Sequence, residues 1–286
     1  MHKKYYLLLM VITGLAVFGQ TDTAKDSLKT DGKRWEAKVD LKSRYIWRGQ
    51  AYGGNTPAIQ PSFSYCVTEN LSIGMWATHN FRCEDGHADG SSDGYREFNF
   101  GLDYQLADFL SLGIWQYYWP SLDDDPDADT RFFHYGPASV TTIDAGLTFD
   151  FSENYRYAFQ AAINTFISGN DFRYGDKGES TRNFTTYAEI GYVFKDVFNS
   201  ISAKTFRGIS LTPVTGAVLN NRAGYYEAAD YNKVSFINLS VAAEREFDLG
   251  YGIAMPVCIN YTHNGGTANT ALEGRDFLTA TLSFKY

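Results

Sequence analysis

The chain has 286 residues, a formal net charge of −8, 20% charged residues and an aromatic share of 16% carried by 21 Tyr, 21 Phe and 5 Trp. That charge excludes a nucleic-acid binder, which needs a basic face. No run of 18 apolar residues follows residue 19, which excludes a helical membrane protein. Seven prolines and little low-complexity sequence exclude a disordered chain.

Met1-His2-Lys3-Lys4 is a basic start, and Tyr5 to Phe18 is an almost unbroken apolar run ending in Val17-Phe18-Gly19. Small residues at those spacings predict cleavage before Gln20, so residues 1–19 are read as a signal peptide. An uncleaved anchor would need about 20 apolar residues, more than this run supplies. Residues 20–33 are then an N-terminal periplasmic segment and 34–286 a single barrel domain.

From Trp35 the chain alternates with period two. Trp35, Ala37, Val39, Leu41, Ser43, Tyr45 and Trp47 oppose Glu36, Lys38, Asp40, Lys42 and Arg44. Phe98, Phe100, Leu102, Tyr104 and Leu106 oppose Glu97, Asn99, Gly101, Asp103 and Gln105. Ile143, Ala145, Leu147, Phe149 and Phe151 oppose Thr142, Asp144, Gly146, Thr148 and Asp150. Ile237, Leu239, Val241 and Ala243 oppose Asn238, Ser240, Ala242 and Glu244. This is the pattern of strands with one apolar and one polar face. Twelve are predicted, at 34–47, 57–67, 71–82, 95–106, 109–119, 140–151, 155–166, 183–194, 197–208, 234–247, 251–263 and 276–286.

The links alternate between long and short. Thr68-Glu69-Asn70, Ala107-Asp108, Ser152-Glu153-Asn154, Lys195-Asp196 and Asp248-Leu249-Gly250 are tight turns, whereas 48–56, 83–94, 120–139, 167–182, 209–233 and 264–275 are long. Asn220-Asn221 could turn an extra hairpin within 209–233. An even strand count with short turns on one rim and long loops on the other predicts an all-β, transmembrane, antiparallel up-and-down barrel of the bacterial outer membrane. Only a closed sheet pairs every backbone group in hydrocarbon. Aromatics near strand ends, among them Tyr45, Trp47, Trp119, Tyr155 and Tyr157, are expected in two interfacial girdles facing lipid. The alternation Leu282, Phe284, Tyr286 ends on an aromatic and resembles the C-terminal signal read by the barrel-assembly machinery, which would make that machinery a partner.

The opposite parity gives the predicted lumen: Glu36, Lys38, Asp40, Lys42, Arg44, Arg48, Asp103, Asp144, Arg156, Glu189 and Glu244, with Glu97, Asp150, Lys204, Glu246 and Lys285 on the same side. Both signs are present, so the wall itself predicts no strong ion selectivity. Such a lumen either carries small solutes or braces the barrel with internal ion pairs. Cys66, Cys83 and Cys258 are an odd set with no zinc spacing, so neither a disulfide framework, a metal nor a cofactor is expected.

The stretch Asp40-Leu41-Lys42-Ser43-Arg44-Tyr45-Ile46-Trp47-Arg48-Gly49, followed by Pro57-Ala58-Ile59-Gln60-Pro61-Ser62-Phe63-Ser64-Tyr65 and Leu71-Ser72-Ile73-Gly74-Met75-Trp76-Ala77, resembles the first strands of the TorF-like porin family. The resemblance implies a passive channel.

Two other functional classes compete. A barrel hydrolase of the phospholipase kind needs a serine, a histidine base and a polar residue to orient it. Thr262-His263-Asn264-Gly265-Gly266 is the nearest approach, and it lacks the His-x-Ser-Asn-Gly order; His79-Asn80 and His134 come no closer. A soluble sugar binder could stack ligands on Trp76, Trp115, Tyr117 and Tyr118, but the loop alternation and the terminal Phe284-Lys285-Tyr286 argue against it. No enzyme is expected. The loops 83–94 and 120–139 carry Glu84, Asp85, Asp89, Asp93, Asp123, Asp124, Asp125, Asp127 and Asp129 against Arg131 alone. Asp125-Pro126-Asp127-Ala128-Asp129 has alternate carboxylates, yet Thr130 and Gly136 stand where an EF-hand needs Gly and Glu.

Overall fold

The computed structural model describes residues 34–81, 95–120, 129–152, 157–175, 178–202, 207–226, 232–265 and 274–286. The expected signal peptide and periplasmic segment, Cys83, Arg156, Lys204 and most of the acidic loop residues lie outside these. Among the described residues the strands are β1 (Trp35–Lys42), β2 (Tyr45–Trp47), β3 (Gln50–Tyr52), β4 (Ala58–Cys66), β5 (Leu71–Asn80), β6 (Arg96–Ala107), β7 (Leu110–Tyr118) and β8 (Thr141–Asp150). They continue with β9 (Phe159–Gly169), β10 (Phe172–Tyr174), β11 (Ser180–Arg182), β12 (Thr186–Tyr192), β13 (Ser210–Asn220), β14 (Ser235–Gly250), β15 (Ile253–His263) and β16 (Asp276–Lys285).

Twelve of these strands close a barrel in the order β1-β16-β15-β14-β13-β12-β9-β8-β7-β6-β5-β4, every neighbour antiparallel. The all-β, twelve-stranded, up-and-down architecture expected from the alternation is the one that forms. Closure is made by β1 on β16, with Val39 opposite Phe284 and Leu41 opposite Leu282. The wall is apolar outside and polar inside. On β6, Phe98, Leu102, Tyr104 and Leu106 are exposed while Glu97, Asn99 and Asp103 are buried. The short turns form as their chemistry dictates: Thr68 Oγ1 accepts from the amides of Asn70 and Leu71, Asp150 Oδ1 from Ser152, and Asp248 Oδ1 from Gly250.

Four expectations need correction. The first strand does not run on to residue 47. The wall ends at Lys42, the chain bends at Ser43-Arg44, and β2 pairs with β3 as a separate hairpin inside the barrel. Tyr45 and Trp47 are therefore buried at 3% and 5% exposure, not girdle residues, and Trp119 is buried as well. The described residues of 197–208 form no strand; they include a short helix, α1 (Asn199–Ser202), and the ninth wall strand is β13, within the expected loop 209–233. The eighth link is thus a long one, spanned by an isolated bridge between Phe194 and Leu211. Asn220-Asn221 turns no hairpin: Asn220 ends β13, and Asn221 Oδ1 accepts from the Tyr226 amide at 2.8 Å. Finally, Ile237 faces inward and is fully buried, because a register shift at Gly216/Ala217 inserts it as a bulge in β14.

Candidate functional site

The interior divides into two halves. Toward the short-turn rim, the parity of β1 and its neighbours sets polar side chains inward. Glu36, Asp40, Asp103 and Glu244 are all buried there, and Lys38 and Lys42 are half-buried. Ion pairs link them: Lys285 Nζ lies 3.0 Å from Glu36, and Lys38 Nζ lies 3.4 Å from Asp40. Trp115 lies flat on this wall. A Cβ on Gly74 or Gly101 would come within 2.6 or 2.5 Å of its ring, so only glycine leaves room for the indole, whose Nε1 donates to Asp103 at 3.2 Å. A cavity of about 20 Å³ lined by Glu36, Ser62, Ser64, Ser72, Trp76 and Asp103 adjoins it, room for about one water molecule.

Toward the long-loop rim the interior is filled. Tyr45, Trp47, Tyr95, Tyr117, Trp119, Phe166, Tyr187, Val218, Tyr226 and Ile237 form one buried cluster. The hairpin β2–β3 is its centre. Arg48 and Gly49 connect the two strands with φ of 48° and 81°, the positive pair that a two-residue type I′ turn requires. At that tip the Arg48 guanidinium donates to Asp144 Oδ2 at 2.9 Å and to the Tyr226 hydroxyl at 2.6 Å. It lies over the rings of Trp47 and Tyr187 at 4.6 and 4.9 Å. Both side chains of the Arg48–Asp144 pair are 2% exposed. Tyr117 donates to the same Asp144 oxygen at 3.0 Å, and Tyr187 donates to Glu189 at 2.7 Å.

Of the residues predicted for the lumen, the fold brings Arg48, Asp144 and, through Tyr187, Glu189 into one network. Arg48 is not on the wall as expected but on the inserted hairpin. Arg44 stands on the bend before it, with its guanidinium 4.9 Å from the Phe277 ring. Asp103, Glu36, Lys38, Asp40, Lys42 and Glu244 line the polar half. Sequence reasoning passed over Tyr226 and Tyr187 and weighed Asn80 and Asn264 only beside hydrolase histidines, whereas all four secure the hairpin. Its one visible signal was Tyr45-Ile46-Trp47-Arg48-Gly49-Gln50-Ala51-Tyr52, two short alternations about an X-Gly turn.

Outside the interior, His263 Nδ1 lies 2.8 Å from Asp276 Oδ1 on the outer face near the long-loop rim, and Tyr261 donates to the same oxygen. In the long loop after β7, Arg131 clasps Asp129 with its guanidinium and its backbone amide, which holds that carboxyl well below the usual range. His134 lies 3.3 Å from the same carboxylate. No group of three or more metal-ligating residues occurs among the described residues. Cys66 and Cys258 stand on separate strands, β4 and β15.

Comparison with solved structures gives barrels of similar course at low identity. The NanC porin superposes with a TM-score of 0.46 at 8% identity, over 87% of this chain and 98% of its own. An outer membrane channel from Pseudomonas putida F1 gives 0.44 at 10%, over 88% and 94%. LpxR from Salmonella typhimurium gives 0.40 at 10%, over 88% and 99%. These likenesses are of fold alone. No curated protein matches the sequence. The family profile described as "Bacterial protein of unknown function (Gcw_chp)" matches residues 29–278, nearly the whole barrel, and the chain belongs to that family.

Proposed function

We propose that the protein is an outer-membrane barrel of a Gram-negative envelope that allows small solutes or ions to pass through its lumen, as the TorF-like resemblance of its first strands implies. The observation that carries this reading is the inside-out wall: a closed twelve-stranded sheet with Leu102, Tyr104 and Leu106 outward and Asp103, Glu36 and Lys285 inward. Such a surface suits hydrocarbon outside and water inside. Residues 1–19 serve as its export signal, outer-membrane lipid covers its outer face, and Tyr286 presents the last strand to the assembly machinery. The test is paired. The purified protein should run faster unboiled than boiled on a gel, and should conduct when reconstituted in a planar bilayer. A folded, heat-modifiable protein that never conducts, even with the interior hairpin removed, would sink the channel reading.

A second reading, an enzyme, has one specific observation in its favour: the His263–Asp276 pair has the geometry of a histidine base and its orienting carboxylate. Neither Ser nor Thr hydroxyl is hydrogen-bonded to His263 among the described residues. Release of fatty acid from phospholipid micelles, abolished by His263→Ala, would favour it over the channel.

A further inference from the structure

The hairpin β2–β3 stands inside the wall without joining it. Its strands pair with each other as a separate sheet and are not part of the barrel's ladder. Side chains fasten it instead. Asn80 Nδ2 donates to the carbonyls of Tyr52 and Gly53 at 3.4 and 3.3 Å, Asn264 Nδ2 donates to the Gly49 carbonyl at 2.9 Å, and Tyr45 donates to Glu97 at 3.2 Å. The tip is held by the pair of Arg48 and Asp144. The hairpin springs from β1, while Asp144 is on β8, five strands away in one direction round the barrel and seven in the other. The hairpin therefore crosses the lumen from one side almost to the other.

The chemistry of that far contact is asymmetric. Arg48 donates to Asp144 Oδ2 and Tyr226 and lies over two rings, whereas Asp144, though its Oδ2 also accepts from Tyr117, has its Oδ1 buried with no hydrogen-bond partner among the described residues. A buried ion pair adds little net stability when intact, but loss of one partner is costly because the other charge is stranded. Such a contact holds firmly while both groups are present and fails when either is removed. That is the behaviour of a fastening more than of a core.

The geometry points to a latch: Arg48 and Asp144 hold the hairpin Tyr45–Tyr52 across the lumen as a displaceable plug, and the barrel conducts when the hairpin leaves its seat. This rests on the channel reading above. The experiment is single-channel recording in planar bilayers on four proteins: wild type, Arg48→Gln, Asp144→Asn, and a variant in which residues 44–55 are replaced by a short Gly-Ser segment. Unboiled gel mobility reports whether each wall is closed. Wild type should be shut most of the time, and the hairpin-replaced barrel should be open throughout. Arg48→Gln and Asp144→Asn should each raise the open fraction about a hundredfold. If either point variant fails to fold, Tyr226→Phe, which removes one acceptor of Arg48, should still raise it. Point variants as shut as wild type beside a conducting hairpin-replaced barrel would overturn the latch and leave the channel standing. A wild type that is open throughout would overturn the plug. Silence in all four would overturn the channel reading itself.

Discussion

Gly49 shows how narrowly the hairpin is seated. A Cβ there would lie 1.8 Å from the Ile237 carbonyl oxygen, at the bulge of β14, and φ is +81°. Gly250, at the turn into β15, has almost the same φ of +80° with nothing within 4 Å. The two glycines separate conformational cost from collision. Gly250→Ala should cost only the left-handed strain, about 1 kcal/mol. Gly49→Ala should cost that and about 1–3 kcal/mol more, since the obstruction is backbone that side-chain rotation cannot clear. Urea unfolding in detergent micelles, followed by tryptophan fluorescence, checks the difference; equal losses would mean that the tip does not touch β14. Asp129 belongs to the same scale. Its carboxyl is held down by the Arg131 hydrogen bonds, so it stays ionised and locally neutralised at neutral pH.

At the scale of the element, legibility depended on what each strand faces. β6 was readable because outward, exposed Phe98, Leu102 and Tyr104 alternate with buried Glu97, Asn99 and Asp103. β13 was not. Its inward Val214 and Val218 are buried, Val218 close to the aromatic cluster, while Thr215 is outward, so polarity no longer marks the faces. Pro213 has no N–H to give, and the pairing of β12 with β13 breaks off at Gly191 and Val214 and is taken up again in the same register at Phe194 and Leu211. The inner hairpin was hidden by the same ambiguity: Tyr45 and Trp47 continue the outward row of β1 and are apolar enough for lipid or for a core. Of the site, the inward place of Asp144 followed from the parity of β8; that of Arg48 did not, because β1 ends at Lys42, and their pairing was not legible because the hairpin and β8 meet only across a closed barrel. The tyrosines that complete the site carry no pattern of their own.

For the whole molecule, the channel reading makes the charge of two loops a testable quantity. The loops 83–94 and 120–139 are acidic in sequence, and Arg131 already neutralises Asp129. The remaining cluster Asp123, Asp124, Asp125 and Asp127 has no basic neighbour in sequence nearer than Arg131. Fixed carboxylates raise cation concentration within about a Debye length, ~8 Å at physiological salt. An open barrel should therefore prefer cations mildly at low salt, and the preference should fade as ionic strength rises. Reversal potentials across a KCl gradient, measured on the hairpin-replaced barrel with and without those four changed to Asn, test this. Coincident potentials at low salt would show that the loop has no part in permeation.

The inserted hairpin also sets an order of events during assembly. Its contacts join the first part of the chain to parts made much later: Arg48 meets Tyr226 at a separation of 178 residues, and the Gly49 carbonyl meets Asn264 at 215. Pairings of such long range form slowly, because the entropy of closing the loop is lost before any contact compensates it. The earliest hairpin thus waits, with Tyr45 and Trp47 uncovered, until β14 and the Tyr226 segment arrive, and β1 cannot close on β16 without enclosing it. Refolding into micelles should accordingly show two stages. Sheet signal in circular dichroism should rise first, and burial of Trp47, isolated by changing the other tryptophans to Phe, should follow at the rate of the gel shift. Trp47 buried ahead of barrel closure would mean instead that the hairpin nucleates the wall around itself.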